Sequence, residues 1–202
     1  MPIYFSLLNL CMLCLKNKTN PGWIKVAIKN LPSVVMDHAH CEKKAAGTGT
    51  SLLSTYFDKK EISLAMSDLV EEEIGHYRSV INILDKMGLT LGRDEGDEYA
   101  KSLLSSVNKN EPMRMMDRLI TAGIIEARSC ERLQILAENI ENLELKKFYK
   151  ELSDSEAGHY VTFIKLAKLY FDEELVRKRL DELTQIEAEI IKNLSNKPLM
   201  HG

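Results

Sequence analysis

Residues that interrupt helices are scarce in this sequence, which has five prolines and ten glycines in 202 residues. Residues that favour helix, chiefly Leu, Lys, Glu, Ala and Met, are abundant instead. Apolar residues make up 45% of the chain and charged residues 28%, which is ordinary for one domain large enough to bury a core. The composition therefore predicts a single all-α domain spanning residues 1–202.

Cysteine is scarce as well, and its pattern excludes two kinds of site. The four cysteines are too few and too scattered for a disulfide framework, so we expect reduced thiols in a cytoplasmic protein. Cys11 and Cys14 form a CxxC pair, but a zinc or rubredoxin-type site needs a second pair, and the sequence has none.

The apolar opening, MPIYFSLLNLCMLCL, is too short to cross a membrane, which takes roughly 20 residues. It also lacks the basic region and the small-residue cleavage site of a signal peptide. We therefore expect no membrane partner, and we expect this opening to be an extended segment that packs on the domain.

The helical pattern runs along the rest of the chain with few breaks. Two helical hairpins are predicted, at about 32–87 and 111–170, and they are joined by a connection that contains a short helix. A further short helix should begin at Pro21, and a last amphipathic helix should occupy about 172–194. A connection of this length can cross a four-helix bundle from end to end. The expected fold class is all-α, a ferritin-like four-helix bundle with a long crossover and additional short N-terminal and C-terminal helices.

One motif occurs twice, as EIGHY at 73–77 and as EAGHY at 156–160. Each copy places Glu three residues before His, and residues at this spacing share a helix face. Their helical neighbours are largely apolar, so the carboxylates should point inward, where an ionised carboxylate is costly without a cation or hydrogen bonds. The two pairs are Glu73 with His76 and Glu156 with His159.

The partner helix of each hairpin should add one more carboxylate at the same height. Residues equidistant from the turn of an antiparallel hairpin lie level with each other, at about 1.5 Å per residue. Glu73 lies about fifteen residues after its turn and Glu42 about sixteen before it. Glu156 lies about fifteen residues after the other turn and Glu126 about fifteen before it. Glu42 and Glu126 both have small apolar residues as helical neighbours.

Glu131 is the alternative to Glu126, because it follows a cysteine as Glu42 does. Glu131 is five residues off the common level, which is about 7 to 8 Å along the helix. Its own helix face carries charged and polar residues rather than apolar ones. We therefore prefer Glu126.

The resulting set reads Glu, Glu-x-x-His, Glu, Glu-x-x-His, the ligand pattern of ferritin-like di-iron and di-manganese proteins. Oxygen-rich ligation with one imidazole per metal suits iron or manganese better than zinc or copper. The alternative, that these are solvated charges and core histidines, is ordinary for any single one of them but does not explain all six together. The expected metal ligands, which also form the expected catalytic site, are Glu42, Glu73, His76, Glu126, Glu156 and His159.

The sequence resembles the bacterial tRNA methylthio-isopentenyl-adenosine hydroxylase (MiaE-like) family over roughly residues 19–170. Four segments carry the resemblance, and the second and fourth are specific rather than generic helix. They are TNPGW at 19–23, DHAHCEKKAA at 37–46, EARSCERL at 126–133 and SEAGHY at 155–160.

The resemblance implies a di-iron monooxygenase that uses dioxygen to hydroxylate the isopentenyl group of the hypermodified adenosine next to the tRNA anticodon. It implies that the same six residues hold two irons. The sequence departs from the expected pattern at Gly75 and Gly158, one before each histidine. Glycine inside a helix costs about 1 kcal/mol against alanine, so we expect a close approach that needs the space.

A tRNA partner would need a local basic patch, because a net charge of -3 gives no global attraction to nucleic acid. Residues 1–36 contain no acidic residue and four lysines, namely Lys16, Lys18, Lys25 and Lys29. Four further basic residues lie near the ligand helices, namely Lys43, Lys44, Arg128 and Arg132. For each one a purely solubilising role is the alternative.

Tyr77 and Tyr160 follow the two histidines and are expected to pack rather than to act in redox chemistry.

Two other functions remain open. A ferroxidase or peroxide-scavenging relative of ferritin or rubrerythrin would share the six ligands, but it would usually need a storage cage or a rubredoxin-like electron module. The single CxxC pair cannot supply that module. A metal-free helical interaction protein would leave four inward carboxylates unexplained. The sequence does not identify the exact modified base or the electron donor, and we expect a monomer or a small oligomer.

Overall fold

The computed structural model describes residues 12–202, and these form seven helices and no strand. The helices are α1 (Pro21–Lys29), α2 (Leu31–Thr55), α3 (Lys60–Lys86), α4 (Glu98–Leu104), α5 (Met113–Asn139), α6 (Leu143–Tyr170) and α7 (Glu173–Asn193). The predicted helices all form, close to their predicted limits. The predictions for the apolar opening and for Cys11 fall largely on residues outside the described range.

Local signals in the sequence set the helix ends. Asn142 caps α6 by accepting a hydrogen bond from the Leu145 amide, and Asp172 caps α7 in the same way. Gly88 follows α3 with a φ of +70°, a left-handed conformation that glycine adopts without strain. No helix within residues 12–202 combines the length and the apolar character needed to cross a membrane.

The chain divides into two compact units. One of them contains the α2–α3 hairpin. It comprises residues 22–98 and 195–202. Leu52 and Met66 are buried in it, and α2 and α3 approach closely at Gly49, where a Cβ would lie 2.8 Å from Val70 Cγ2. Trp23 is fully buried, and its indole nitrogen donates a hydrogen bond to the Leu199 carbonyl at 2.9 Å.

The other unit comprises, of the described residues, 12–21 and 99–194, and contains the α5–α6 hairpin with α7 packed on it. Phe163 is buried there, and α5 and α6 are close at Gly123, where a Cβ would lie 3.3 Å from Phe163 Cβ. Arg179 on α7 binds the Asp117 carboxylate on α5 through two nitrogens, each at 2.8 Å. Each hairpin thus has its own packed interface. That residues 1–202 act as a single domain remains a prediction.

Candidate metal centre

The α2–α3 hairpin places three of the predicted ligands together. Glu42 comes from α2, and Glu73 and His76 come from α3; each offers a ligand atom within 4.8 Å of those of the other two. His76 Nδ1 lies 3.4 Å from Glu73 Oε2 and 3.6 Å from Glu42 Oε2. Both carboxylates are buried, and His76 is partly exposed. This arrangement confirms the predicted inward orientation of Glu42 and Glu73.

The two carboxylates determine the charge of His76 in the absence of a metal. Burial alone would lower the pKa of His76, but hydrogen bonding and charge attraction from Glu42 and Glu73 raise it to about 10. The imidazole is therefore a cation at neutral pH and partly compensates the buried carboxylates. A metal ion at this position would replace its proton as the compensating charge.

The α5–α6 hairpin holds the other three predicted ligands. Glu126 lies on α5, and Glu156 and His159 lie on α6; their ligand atoms are again within 4.8 Å of one another. All three side chains are buried, with relative exposures of 6%, 2% and 6%. His159 Nδ1 lies 3.4 Å from Glu156 Oε2. The two hairpins therefore each present one Glu and one Glu-x-x-His pair.

The donors fit a divalent metal ion. Glu156 Oε2 is fully buried and accepts no hydrogen bond from the described residues, although His159 is near. A buried carboxylate oxygen that accepts no hydrogen bond destabilises the folded protein unless a cation binds it. Carboxylates with one imidazole in each hairpin match the oxygen-rich ligation that iron and manganese prefer.

Glu131, the alternative to Glu126, has other partners. It accepts hydrogen bonds from the Thr19 amide at 2.9 Å and the Thr19 hydroxyl at 2.7 Å, and it forms an ion pair with Arg128. Arg128 also pairs with Glu187 of α7 at 2.7 Å. These contacts form a buried polar network in which Glu131 is already satisfied, which favours Glu126 as the ligand.

The same network corrects part of the prediction for tRNA contacts. Arg128 and Arg132 are 0% and 2% exposed, so neither guanidinium can reach a phosphate. Lys44 is paired with Asp94 at 2.9 Å, and Lys43 contacts His40 at 3.0 Å. The local sequence pattern could not predict the burial of the two arginines, because partners come from two distant segments, residues 17–19 and Glu187 on α7.

The lysines of the N-terminal segment have different surroundings. Lys16 is paired with Asp181 at 2.8 Å, which cancels much of its charge. Lys18, Lys25 and Lys29 are exposed. They remain candidates for phosphate contact.

One buried histidine beside the predicted ligands was not singled out from the sequence. His38 Nε2 lies 2.5 Å from Glu42 Oε1, and His38 is 1% exposed. Its position one helical turn before Glu42 is the available signal, since residues four apart on a helix are neighbours. A group in contact with a ligating carboxylate fixes its orientation.

Two smaller expectations concern residues next to the histidines. Among the described residues, no packing neighbour lies within 4 Å of a Cβ built at Gly75 or Gly158, so no close approach of protein atoms requires glycine there. Tyr160 is partly buried, and burial together with the nearby Cys14 thiol raises its pKa. This packing agrees with the expected structural role of Tyr160.

Comparison with known proteins gives consistent matches over nearly the whole chain. The family model for tRNA-(ms2io6A)-hydroxylase (MiaE) matches residues 6–202. The tRNA 2-(methylsulfanyl)-N(6)-isopentenyladenosine(37) hydroxylase of Pseudomonas putida is 33% identical, over 91% of this chain and 89% of its own length. The enzyme of that name from Salmonella typhimurium is 29% identical, over 86% of this chain and 82% of its own.

A solved structure also matches. It is Protein 43 with aldehyde deformylating oxygenase activity from Synechococcus, with a TM-score of 0.89 and 32% identity, covering 93% of this chain and 95% of its own. This neighbour has the ferritin-like fold, which confirms the predicted fold class. The chain belongs to the MiaE family of tRNA hydroxylases, which are di-iron enzymes.

Proposed function

We propose that this protein hydroxylates the isopentenyl group of methylthio-isopentenyl adenosine in tRNA, at the position next to the anticodon. The observation that carries the proposal is membership of the MiaE family over residues 6–202, together with the shared name of its two relatives. The buried carboxylate and histidine groups of both hairpins support it, because they fit a metal centre.

We further propose which residues hold the metal. Each hairpin would contribute one Glu and one Glu-x-x-His pair to a centre of two irons. When bound, the two irons supply the activation of dioxygen and the insertion of one oxygen atom into a C–H bond. The proposed ligands are Glu42, Glu73, His76, Glu126, Glu156 and His159.

The chain's own residues position and protect this chemistry. His38 contacts Glu42 and limits the orientations open to that carboxylate. Leu69 and Leu152, each buried one helical turn before a proposed ligand, exclude water from around the site. Small side chains lie beside the proposed ligands, with Ala39 and Ala46 near Glu42 and Ala122 near Glu126. We propose that the prenyl chain occupies the space that these small residues leave.

Mass analysis of modified nucleosides tests the proposal in cells. tRNA from cells that lack the protein should contain methylthio-isopentenyl adenosine without the hydroxyl group, and the wild-type gene should restore the hydroxylated nucleoside. Glu73→Gln should fail to restore it. Glu71→Gln is the matched control, because Glu71 is on the same helix but exposed. Unchanged nucleosides with and without the wild-type protein would refute the proposal.

The similarity to the Synechococcus structure favours one competing activity, the deformylation of aldehydes. The purified, iron-loaded protein should therefore also be incubated with reductant, dioxygen and a long-chain aldehyde. Release of formate at rates that exceed turnover of prenylated tRNA would favour the competing function. The ferroxidase alternative predicts instead a cage-sized assembly that accumulates many irons per chain.

A further inference from the structure

A second group of metal-ligating side chains lies in the unit formed by residues 22–98 and 195–202. Cys41, Asp97 and His201 each offer one ligand atom, and these atoms lie within 4.8 Å of one another. The group combines a thiol, a carboxylate and an imidazole. None of the six proposed iron ligands offers sulfur, so this group has a different metal preference.

Three segments that are distant in sequence bring these donors together. Cys41 lies on α2, Asp97 immediately precedes α4, and His201 lies in the segment after residue 195. The Met200 amide donates a hydrogen bond to Asp37 Oδ2 at 2.7 Å, which holds the neighbouring His201 against α2. His201 Nδ1 lies 2.8 Å from Asp97 Oδ2. The donors are thus held by packing and hydrogen bonds before any metal binds.

The surroundings of the group favour a cation. Asp37 is 7% exposed, and the Met200 amide donates a hydrogen bond to its carboxylate. Its oxygen Oδ2 lies 3.9 Å from Cys41 Sγ. The nearby Lys44 is already bound by Asp94 at 2.9 Å. Two carboxylates, Asp37 and Asp97, therefore lie beside the thiol and the imidazole.

We propose that Cys41, Asp97 and His201 bind one zinc ion, with the Asp37 carboxylate beside it. Zinc is bound in proteins by thiolate, imidazole and carboxylate ligands, commonly four in a tetrahedral arrangement. On binding, the Cys41 thiol releases its proton to solvent, His201 binds through a ring-nitrogen lone pair, and the zinc–ligand bonds form. The fourth position is filled by water. The ion would join α2, the segment before α4 and the C-terminal segment of the described chain.

Cobalt(II) substitution tests this site through the sulfur ligand. A cobalt–thiolate bond gives a near-ultraviolet charge-transfer band that carboxylate and histidine ligands do not give, so binding at the proposed iron ligands does not interfere. Iron-loaded wild-type protein titrated with Co²⁺ should develop this band to one equivalent per chain, and Zn²⁺ should abolish it. Cys41→Ser should lose the band while it still binds iron.

Cys14→Ser is the matched control, because Cys14 is also partly exposed and belongs to the CxxC pair. This variant should keep the band. A band that survives in Cys41→Ser and disappears in Cys14→Ser would assign the thiolate to the CxxC pair and overturn the proposal. Absence of any band in the folded wild-type protein would overturn it as well.

A measurement on the wild-type chain covers the case in which Cys41→Ser fails to fold. Zn²⁺ should slow alkylation of Cys41, read from the mass of its peptide, and leave alkylation of Cys14 unchanged. His201→Gln should remove this protection, since it keeps the thiol but loses the imidazole. Equal alkylation of Cys41 with and without Zn²⁺ would contradict the proposed site.

Discussion

Glu126 and Glu131 lie five residues apart on α5 and have different partners. Glu126 lies with Glu156 and His159, whereas Glu131 is bound by Thr19 and Arg128. Glu126→Ala should therefore lose iron and keep most of its stability. Glu131→Ala should keep iron but lower the free energy of unfolding by about 3 kcal/mol, the typical cost of removing one partner of a buried ion pair.

The iron content per chain and urea unfolding of both variants check this prediction. Iron retained by Glu126→Ala and lost by Glu131→Ala would show that the choice between the two carboxylates was wrong.

The candidate ligands could be predicted from the sequence because their pattern is local. Glu-x-x-His spacing and distance from a turn are properties of one hairpin, and they placed Glu42 and Glu126 correctly on inward faces. The position of His201 beside Cys41 could not be predicted, because it depends on a contact between segments 160 residues apart. The burial of Arg128 was missed for the same reason, since Glu187 and Thr19 approach it from distant parts of the chain.

The contact between α5 and α7 should make stability depend on pH. Burial would raise the pKa of Asp117, but hydrogen bonding and the charge of Arg179 lower it below its ordinary value of 3.8. A carboxyl group with a lowered pKa in the folded state stabilises the protein above that ordinary value. The contribution is lost as the pH falls through the lower folded pKa.

Arg179→Met should therefore lower the free energy of unfolding at pH 7 by about 3 kcal/mol. It should also weaken the dependence of stability on pH below pH 4. Arg177→Met is the control on the same helix, because its pair with Glu174 is exposed, and it should leave stability nearly unchanged. Urea unfolding between pH 3 and pH 7 measures both effects, and identical behaviour of the two variants would contradict the prediction.

Two helical glycines should respond oppositely to alanine. Gly49→Ala would place a methyl group 2.8 Å from Val70 Cγ2, whose branched side chain has little freedom in a helix, and should cost about 1 to 3 kcal/mol. Gly75→Ala meets no neighbour and should stabilise the protein by about 0.5 to 1 kcal/mol. Thermal or urea unfolding checks both. A loss of iron or of tRNA turnover in stable Gly75→Ala would show that a bound group needs the space.

The helix limits could also be predicted from the sequence, because the signals that set them are local. Capping residues such as Asn142 and Asp172, and Gly88 after α3, act through contacts within a few residues. The partly buried pair of Arg179 and Asp117 joins α7 to α5 across 62 residues, so no local signal predicts it.

Binding of the intact protein to tRNA should depend on its exposed N-terminal lysines. Each lysine that contacts a phosphate releases counterions, so its loss should flatten the salt dependence of affinity by roughly 0.7 to 0.9 slope units. Because Lys16 is paired with Asp181, replacing Lys18, Lys25 and Lys29 with Gln should produce most of the change seen with all four. Iron content should be unaffected.

Affinity for tRNA measured at several salt concentrations provides the comparison. A control variant with Lys178→Gln and Lys192→Gln, both exposed on α7, should match the wild-type slope. Equal slopes for the wild type and the triple variant would mean that these lysines only solubilise the chain and that tRNA binds elsewhere.

The most direct test of the proposed function uses purified protein, reductant and isotopically labelled dioxygen. The substrate is tRNA that carries methylthio-isopentenyl adenosine, and the product nucleoside is examined by mass spectrometry. We expect one labelled oxygen atom in the isopentenyl group, its yield rising with bound iron up to two irons per chain, and no product with Glu156→Ala. An iron-loaded wild-type protein that consumes dioxygen but leaves the nucleoside unchanged, or a product whose oxygen comes from water, would contradict the proposal.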